Sequence, residues 1–352
     1  MTGLEHERIA IQLGPRSRLP VILAVHSTLL GSAVGGCRMW RYADWRDGLA
    51  DAMRLSEAMS LKCAAAGIRH GGGKTVIALP PDIELDARRR EALMEDVGEL
   101  VESLGGSYWI GEDVGTGPAD ILTMRRHTRW TARPHDGTAP ADLPQPTATG
   151  VIEAIRASAR HKFGSPSLTG RRVAVVGLGH VGGPLARMLA GEASTLLVSD
   201  VDPGKVAAAV ELGATPVEPE AAIEAEVDVL VPAALGGVIS PDTVDRLRCA
   251  VICGPANNQL TDDGMAELLH ARAILWAPDF IVNAGGVTYE VAVGIDGASD
   301  ADAIAQVSRI GDGLTSILDQ AAAEDATPLA IALRRAREVL SAAGVGGRHA
   351  GP

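Results

Sequence analysis

The run Gly177-Leu178-Gly179-His180-Val181-Gly182 constrains the fold of this chain more than any other stretch. It follows the apolar segment 173–176 and leads into a helical pattern over 184–189. Three glycines between strand and helix permit a tight turn, close passage of a pyrophosphate and close helix packing, while the helix N-terminus offers amides to the phosphate. Pro184 is tolerated because its missing N–H falls in the first turn. Asp200 ends the next strand, where the acid of such a unit accepts hydrogen bonds from a ribose. Strand, glycines, helix, strand and acid in this order predict a dinucleotide-binding βαβ unit using Gly177, Gly179, His180, Val181, Gly182 and Asp200. A carboxylate there repels a 2′-phosphate and favours NAD over NADP; Asp202 strengthens that preference and Lys205 softens it.

The rest of the chain alternates strand and helix signals on both sides of a breaker-rich stretch. Residues 21–25, 31–36, 75–79 and 107–110 read as strands, and 47–62 and 86–104 as helices. Residues 132–146 hold four prolines and few apolar side chains, which marks a linker or hinge. A helix is predicted over 147–161. Strands follow over 173–176, 195–199, 227–231, 250–253 and 273–275 with helical stretches between, then a helical tail over 300–344. The pattern predicts an α/β chain of two domains. The first, at 1–138, is an α/β domain with C-terminal helices (about 325–352) packing back on it. The second, at 147–324, is a doubly wound parallel Rossmann domain, with a cleft between the two. A chain of 352 residues with 46% hydrophobic content can supply both cores.

Charge and cysteine usage narrow the partners. The balance of 32 Lys+Arg against 44 Asp+Glu leaves a net charge of −12. That gives neither a nucleic acid nor an anionic membrane surface a broad footprint. No uncharged run approaches a membrane span, and the first residues lack a signal-peptide pattern. Cys37, Cys63, Cys249 and Cys253 lack metal-ligand spacing and read as buried free thiols in a reducing cytoplasm, so no metal site is expected.

Two lysines stand out upstream of the glycine fingerprint. Lys62 closes the run Leu55, Ala58, Met59, Lys62, spaced as one helix face that is otherwise apolar, so its ammonium is expected to point inward. Lys74 follows Gly71, Gly72 and Gly73, which would let the backbone approach a ligand. A buried ammonium must find a partner or lose its charge. Two such lysines suggest one that holds an acidic substrate and one that does chemistry; the alternative is a pair of solvated surface lysines. Asp113, beside glycines just past a strand end, is a third candidate, with capping of a helix that begins near Thr116 or Pro118 as its alternative. His70 reads as a solvent-facing loop histidine, with a supporting role next to the site as the alternative.

Six stretches carry a resemblance: Gly35-Gly36-Cys37-Arg38-Met39-Trp40; Met59-Ser60-Leu61-Lys62-Cys63-Ala64-Ala65-Ala66-Gly67; Gly71-Gly72-Gly73-Lys74-Thr75-Val76-Ile77; Glu112-Asp113-Val114-Gly115-Thr116; Pro255-Ala256-Asn257-Asn258-Gln259-Leu260; and Ala277-Pro278-Asp279-Phe280-Ile281-Val282-Asn283-Ala284-Gly285-Gly286. Collinear over nearly the whole chain, they resemble the Glu/Leu/Phe/Val dehydrogenase family, in particular the enzymes acting on leucine, valine and phenylalanine. The resemblance implies a homo-oligomer that catalyses NAD-dependent, reversible oxidative deamination of an L-amino acid to a 2-oxo acid and ammonia. Carried over by position, Lys62 would bind the substrate carboxylate with Asn257 assisting. Lys74 would polarise the 2-oxo group and activate the water that adds to the imino acid, and Asp113 would exchange protons with the amino group. Backbone near Gly35 and Gly36 would help place the substrate. Thr147 and Asn257 would lie near the nicotinamide, and residues 233–237 (Ala233, Ala234 and Leu235 among them) would touch the cofactor ribose. Hinge closure would bring nicotinamide and α-carbon together. The chemistry asks for these residue types independently: hydride loss leaves an iminium that water must attack, a lysine beside a second cation can act as base, and a carboxylate can shuttle the amine proton.

By the same carry-over, Val34, Met59, Gly111, Val287 and Glu290 would line the side-chain pocket. Leucine-type enzymes typically carry Leu and Ala at the first and third of these, so Val34 and Gly111 imply extra room, as in the phenylalanine-type enzymes. Such differences are worth only about 1–3 kcal/mol, which makes relaxed specificity the expectation. Glu290 departs from the family's apolar residue. Facing the pocket, it would accept a hydrogen bond from an indole N–H, a phenol or a cationic tail. Facing away, it would leave the apolar role to Tyr289 or Val291, and the cost of burying a lone carboxylate favours this outward orientation. The leading expectation is a dehydrogenase preferring phenylalanine over leucine or valine. The alternatives are the same chemistry on an unusual polar or aromatic amino acid in a biosynthetic pathway, and a catalytically silent NAD-binding regulator. Lys62, Lys74 and Asp113 together argue against the last.

Overall fold

The computed structural model describes residues 5–132 and 144–347, so 133–143 of the expected linker lie outside the described residues. The chain divides into two compact units. One holds the described residues of Met1–Ala139, Gly294–Asp296 and Arg335–Pro352, the other those of Pro140–Val293 and Gly297–Arg334.

The first unit is built on strands β1 (Arg8–Leu13), β2 (Pro20–Ser27), β3 (Ala33–Arg41), β4 (Gly71–Leu79) and β5 (Tyr108–Glu112), with helices α1 (Trp45–Ala65), α2 (Ala87–Glu102) and α3 (Pro118–Met124). The sheet order is β1-β2-β4-β3-β5. β2 runs antiparallel to β1 and β4, and β3 runs parallel to β4 and β5. β1 escapes the sequence pattern because it is an edge strand whose Ile11 and Leu13 lie exposed, which blurs the alternation of a half-buried strand. β3 continues five residues past its expected end because Cys37 to Arg41 pair with Thr75 to Leu79. On one sheet face Leu23, Cys37, Ile77, Tyr108 and Ile110 pack with Leu93, Val97 and Val101 of α2. On the other, Ile22, Ala24, Val76 and Ala78 receive Ala52 of α1.

α1 confirms the helix but corrects its inward face. Gly48, Ala52, Ser56, Ser60, Cys63 and Ala64 are buried, whereas Leu55, Met59 and Lys62 are half-buried and Ala58 is exposed. Small residues, rather than apolar ones, select the buried side, because α1 lies directly on the glycine segment of β4. A Cβ on Gly72 would come 2.1 Å from Ser60 N and 2.4 Å from Ser56 O. The two buried serines keep hydrogen-bond partners in His6 (2.9 Å to Ser56 Oγ) and His26 (2.8 Å to Ser60 Oγ).

The second unit contains α4 (Pro144–Phe163), β6 (Arg172–Val176), α5 (Gly182–Ala190), β7 (Thr195–Ser199), α6 (Pro203–Val210), β8 (Thr215–Pro216), α7 (Pro219–Ile223), β9 (Val227–Pro232), α8 (Pro241–Val244), β10 (Cys249–Ile252), α9 (Gly264–Ala271) and β11 (Leu275–Trp276). α10 (Asp279–Val282), α11 (Gly285–Glu290), the start of a π-helical turn (Val291–Ile295), α12 (Asp300–Ser308), α13 (Ile310–Glu324) and the start of α14 (Pro328–Gly347) complete it. Its six strands, in the order β11-β10-β9-β6-β7-β8, are parallel throughout. That is the predicted two-domain α/β fold with a doubly wound parallel sheet. β8, two residues long, is too short to leave a sequence pattern. α5 starts at Gly182, two residues before the predicted helix.

All four cysteines are buried free thiols. Burial pushes the thiols of Cys63, Cys249 and Cys253 up to about 12. No helix among the described residues is long and apolar enough to cross a membrane. Because the obstacle to a Cβ at Gly72 is main chain, Gly72→Ala is expected to lower stability by about 2–3 kcal/mol in urea unfolding. An unchanged midpoint would show that α1 does not rest on Gly72.

Candidate active site

β4 carries Lys74 at the foot of α1, and the strand register decides its surroundings. Val34 lies opposite Gly72 and Trp109, and Gly36 lies opposite Gly111. Paired residues share a face, so Val34, Gly36 and Gly111 stand on the same side of the sheet as Gly72 and Lys74. Lys74 is only 6% exposed, and its Nζ lies 2.7 Å from Asp113 Oδ2. The same oxygen accepts a hydrogen bond from Arg38 Nε at 3.1 Å. Burial pushes the Asp113 carboxyl up, but the Lys74 ammonium, then Arg38 and the Val114 amide, hold it below the usual aspartate range.

Asp113 is not a helix cap. α3 starts after Gly117, whose amide is bound by Asp120 Oδ2 at 2.9 Å, and Arg90 pairs with Asp120 at 2.6 Å. The turn that presents Asp113 is fixed by Thr116, whose Oγ1 accepts from the Asp113 amide (3.1 Å) and donates to the Cys37 carbonyl (2.7 Å).

The glycine run before Lys74 admits neighbouring protein, which corrects the expectation that it faces a ligand. A Cβ on Gly71 would meet Ser27 O at 1.7 Å, one on Gly72 would meet the α1 backbone, and one on Gly73 would strike the Tyr108 ring at 2.6 Å. Gly35 and Gly36 are equally hemmed in. A Cβ on Gly35 would meet Gly73 O at 1.8 Å, and one on Gly36 would lie 2.6 Å from Glu112 O and 2.7 Å from Asp113 Cβ. Gly36 therefore makes the close approach of Asp113 possible. Met59 and Lys62 sit on the half-buried flank of α1. His70 is also corrected: it is buried, with Nδ1 2.9 Å from Ser32 O and Nε2 3.1 Å from Asp296 Oδ1, and Asp296 belongs to the same unit.

In the second unit the three fingerprint glycines divide their tasks. Gly177 has φ +106°, and a Cβ there would press on Ala234 at 2.7 Å. A Cβ on Gly182 would meet Gly177 O at 2.0 Å and Ala233 Cβ at 3.1 Å. Gly179 has nothing within 4 Å of its Cβ position, and His180 beside it is exposed. Val181 precedes α5. Asp200 is oriented by two amides, Leu178 N at 2.6 Å and Asp202 N at 2.8 Å. Burial acts against its charge, while those amides and Lys205 bring the net shift below the usual value. Lys205 Nζ lies 3.9 Å from both Asp200 and Asp202, and Asp202 caps α6 through Gly204 N. Gly177, Gly179, Asp200, Lys205, Ala233, Ala234 and Leu235 line a cavity of about 630 Å³.

Asn257 is exposed on the loop after β10, where its Oδ1 accepts from Asn283 Nδ2 at 2.7 Å. Gln259, fully buried, holds that loop by donating to Gly254 O and Ala256 O and accepting from Trp276 Nε1. Thr147 is half-buried near the start of α4, and a Cβ on Gly285 would come 3.0 Å from its Cα. Val287 and Glu290 are both half-buried on α11. Tyr289 is buried and donates to Asp300 at 2.6 Å, so it is committed to packing within its own unit. Among the described residues, no group of three or more His, Cys, Asp or Glu could hold a metal ion. Arg38, Gln259 and Asn283 lie inside the family motifs but carry no local sign of their partners; an arginine in a buried strand is the available signal for the first.

Residues 12–130 match the family described as Glu/Leu/Phe/Val dehydrogenase, dimerisation domain, and residues 204–293 match Glutamate/Leucine/Phenylalanine/Valine dehydrogenase. A leucine dehydrogenase of Thermoactinomyces intermedius is 36% identical over 96% of this chain and 91% of its own. The chain belongs to the Glu/Leu/Phe/Val dehydrogenase family. A phenylalanine dehydrogenase of Lysinibacillus sphaericus is also 36% identical, over 95% of this chain and 88% of its own. The crystal structure of L-tryptophan dehydrogenase from Nostoc punctiforme superposes with a TM-score of 0.85 at 34% identity, covering 97% of each chain. As an amino acid dehydrogenase of this family, the protein is an oxidoreductase acting on CH–NH2 groups with an NAD(P) cofactor. The open cradle at Gly179, the anchored Asp200 and the adjoining cavity fit such a dinucleotide.

Because the fold holds Asp113 below its ordinary value, its ion pairing stabilises the protein fully above that value and is lost as pH falls through the folded one. The unfolding free-energy difference between wild type and Asp113→Asn is expected to be flat above about pH 5 and to shrink below about pH 4. A difference that grew on acidification, followed by urea titration, would contradict this assignment.

Proposed function

We propose that the chain catalyses NAD-dependent, reversible oxidative deamination of an L-amino acid with a large apolar side chain, phenylalanine ahead of leucine and valine, to the 2-oxo acid and ammonia. The observation that carries this reading is the pairing of buried Lys74 with half-buried Asp113 at 2.7 Å, beside Gly36 and Gly111 on one sheet face. Val34 and Gly111 are small residues on that face, which supports a large substrate. Lys62 would hold the substrate carboxylate, with Asn257 assisting, and the main chain at Gly35 and Gly36 would help place the α-carbon. Asp113, an acceptor in its ionised form, would take a proton from the substrate ammonium. The dinucleotide, when bound, accepts the hydride from the α-carbon. Lys74 would then take a proton from the water that adds to the iminium carbon and stabilise the oxygen as it becomes a carbonyl. Asp113 would return its proton to the departing nitrogen, and the ammonia released would carry off the hydroxyl proton as the carbonyl forms, leaving as ammonium.

Gly177, Gly179, His180, Val181 and Gly182 would cradle the pyrophosphate, Thr147 and Asn257 would meet the nicotinamide end, and Ala233, Ala234 and Leu235 would border a ribose. NAD rather than NADP is supported by Asp200, whose two anchored oxygens border the cavity as an anion. Val201 and Leu235, 93% and 82% exposed, are apolar surface on the same rim that an adenine would cover. The match of residues 12–130 to a dimerisation domain supports a homo-oligomer, and four buried free thiols fit a reducing cytoplasm.

A second reading takes an aromatic amino acid with an N–H or O–H group. It is favoured by the likeness to L-tryptophan dehydrogenase and by half-buried Glu290, which would act as acceptor beside Val287. Both readings require Lys74. Lys74→Ala is expected to lower kcat by about 10²- to 10⁴-fold while dinucleotide binding, followed by fluorescence titration, stays unchanged. Unchanged turnover would overturn the assignment of Lys74, whereas a wild-type protein that binds the dinucleotide but turns over no amino acid would favour a silent dinucleotide-binding protein.

A further inference from the structure

Asp113 has a second cation whose placement the proposed chemistry leaves unexplained. Arg38, on β3, sends Nε to Asp113 Oδ2 at 3.1 Å and the next guanidinium nitrogen to Asp51 Oδ2 on α1 at 3.0 Å. Asp51 is itself braced by Tyr42 Oη at 2.8 Å and Arg54 at 2.6 Å. The planar fork thus bridges two carboxylates from different elements, and its side chain is only 23% exposed.

We infer that Arg38 is a positioning residue for the reaction: it keeps Asp113 anionic and aimed while Lys74 gains and loses its proton. The inference rests on the roles proposed above for Lys74 and Asp113. A base must pass through its neutral form, and at that moment the 2.7 Å ion pair with Asp113 loses its positive charge. A half-buried carboxylate without a counter-charge would then draw a proton itself and become useless as an acceptor. A guanidinium cannot do what the ammonium does, because it stays charged throughout the pH range in which a protein works. Arg38 meets that need from the same sheet face, through Nε, whose direction is fixed by the strand on one side and Asp51 on the other.

The charges that face Asp113 come from three elements: Lys74 on β4, Arg38 on β3 and, behind Arg38, Asp51 with Arg54 on α1. Cys37, on the opposite sheet face, is held as a neutral thiol by burial. Burial raises the Asp113 carboxyl, Lys74 lowers it most, and Arg38 adds to that lowering.

The test is the pH profile of kcat/KM for the amino acid in Arg38→Gln, Arg38→Lys and Asp113→Asn, each at saturating dinucleotide. In Arg38→Gln the acidic limb is expected to move up by about one pH unit, with kcat down about tenfold and dinucleotide affinity unchanged. Arg38→Lys, which restores the charge without the fork, is expected to return the limb toward the wild-type position while kcat stays reduced. A limb that stays put in Arg38→Gln, with only thermal stability lowered, would overturn the inference and leave Arg38 a structural brace. If Arg38→Gln does not fold, Arg38→Lys decides through kcat: wild-type turnover without the fork would overturn it. Asp113→Asn separates this from the larger reading. Full turnover with an unchanged limb in that variant removes Asp113 from the chemistry, whereas loss of the limb there and its persistence in Arg38→Gln sinks the role of Arg38 alone.

Discussion

A buried ammonium and a half-buried carboxylate 2.7 Å apart set the conditions that the first unit has to meet. Taking both charges out of water costs several kcal/mol per ion, and only close geometry with further hydrogen bonds offsets it. The sheet is arranged accordingly. Gly36 leaves the space into which Asp113 moves, Thr116 fixes the turn that carries it, and Arg38 adds a second donor to the same oxygen. Gly72 brings the α1 backbone down onto β4, which is why small residues line the buried side of that helix. An arrangement this constrained has little to recommend it as a stability device, since an apolar pair would pack as well without the desolvation cost. It fits the chemistry proposed for the pair.

The second unit solves a different problem with the same residue. Gly177 and Gly182 let chain segments touch, while Gly179 leaves open space beside the N-terminus of α5. One fingerprint therefore contains two packing glycines and one facing a ligand-sized cavity. Asp200 owes its fixed orientation to the amides of Leu178 and Asp202, so the fingerprint loop and the acid that follows it some twenty residues on form one rigid piece.

Where periodicity or a local motif carries the signal, the sequence was legible. The strand expected at 195–199 matches β7 residue for residue, and the strand-glycine-helix order around Gly177 is as predicted. Lys74 and Asp113 both stand out in the sequence, and the structure brings them together. What the sequence hid is set by distant partners. His70 reads as a loop histidine until Asp296, 226 positions away, takes its ring nitrogen. Arg38 is a plain charge in a strand until Asp51 and Asp113 arrive on either side. The glycines before Lys74 announce that a Cβ is excluded, but spacing cannot say whether a ligand, a helix or a tyrosine ring excludes it. The inward face of α1 escapes the sequence pattern for a related reason: hydrophobic periodicity finds stripes of large apolar residues, and this helix buries a stripe of Gly, Ala, Ser and Cys.

The most direct measurement is the initial rate of nicotinamide reduction by the purified protein, with NAD and with NADP, across Phe, Tyr, Trp, Leu, Val and Arg as L-amino acids. The account predicts the highest kcat/KM with Phe, measurable leakage to Leu and Val, and a clear preference for NAD. Failure to reduce either cofactor with any of these amino acids, by protein that still binds the dinucleotide, would contradict it.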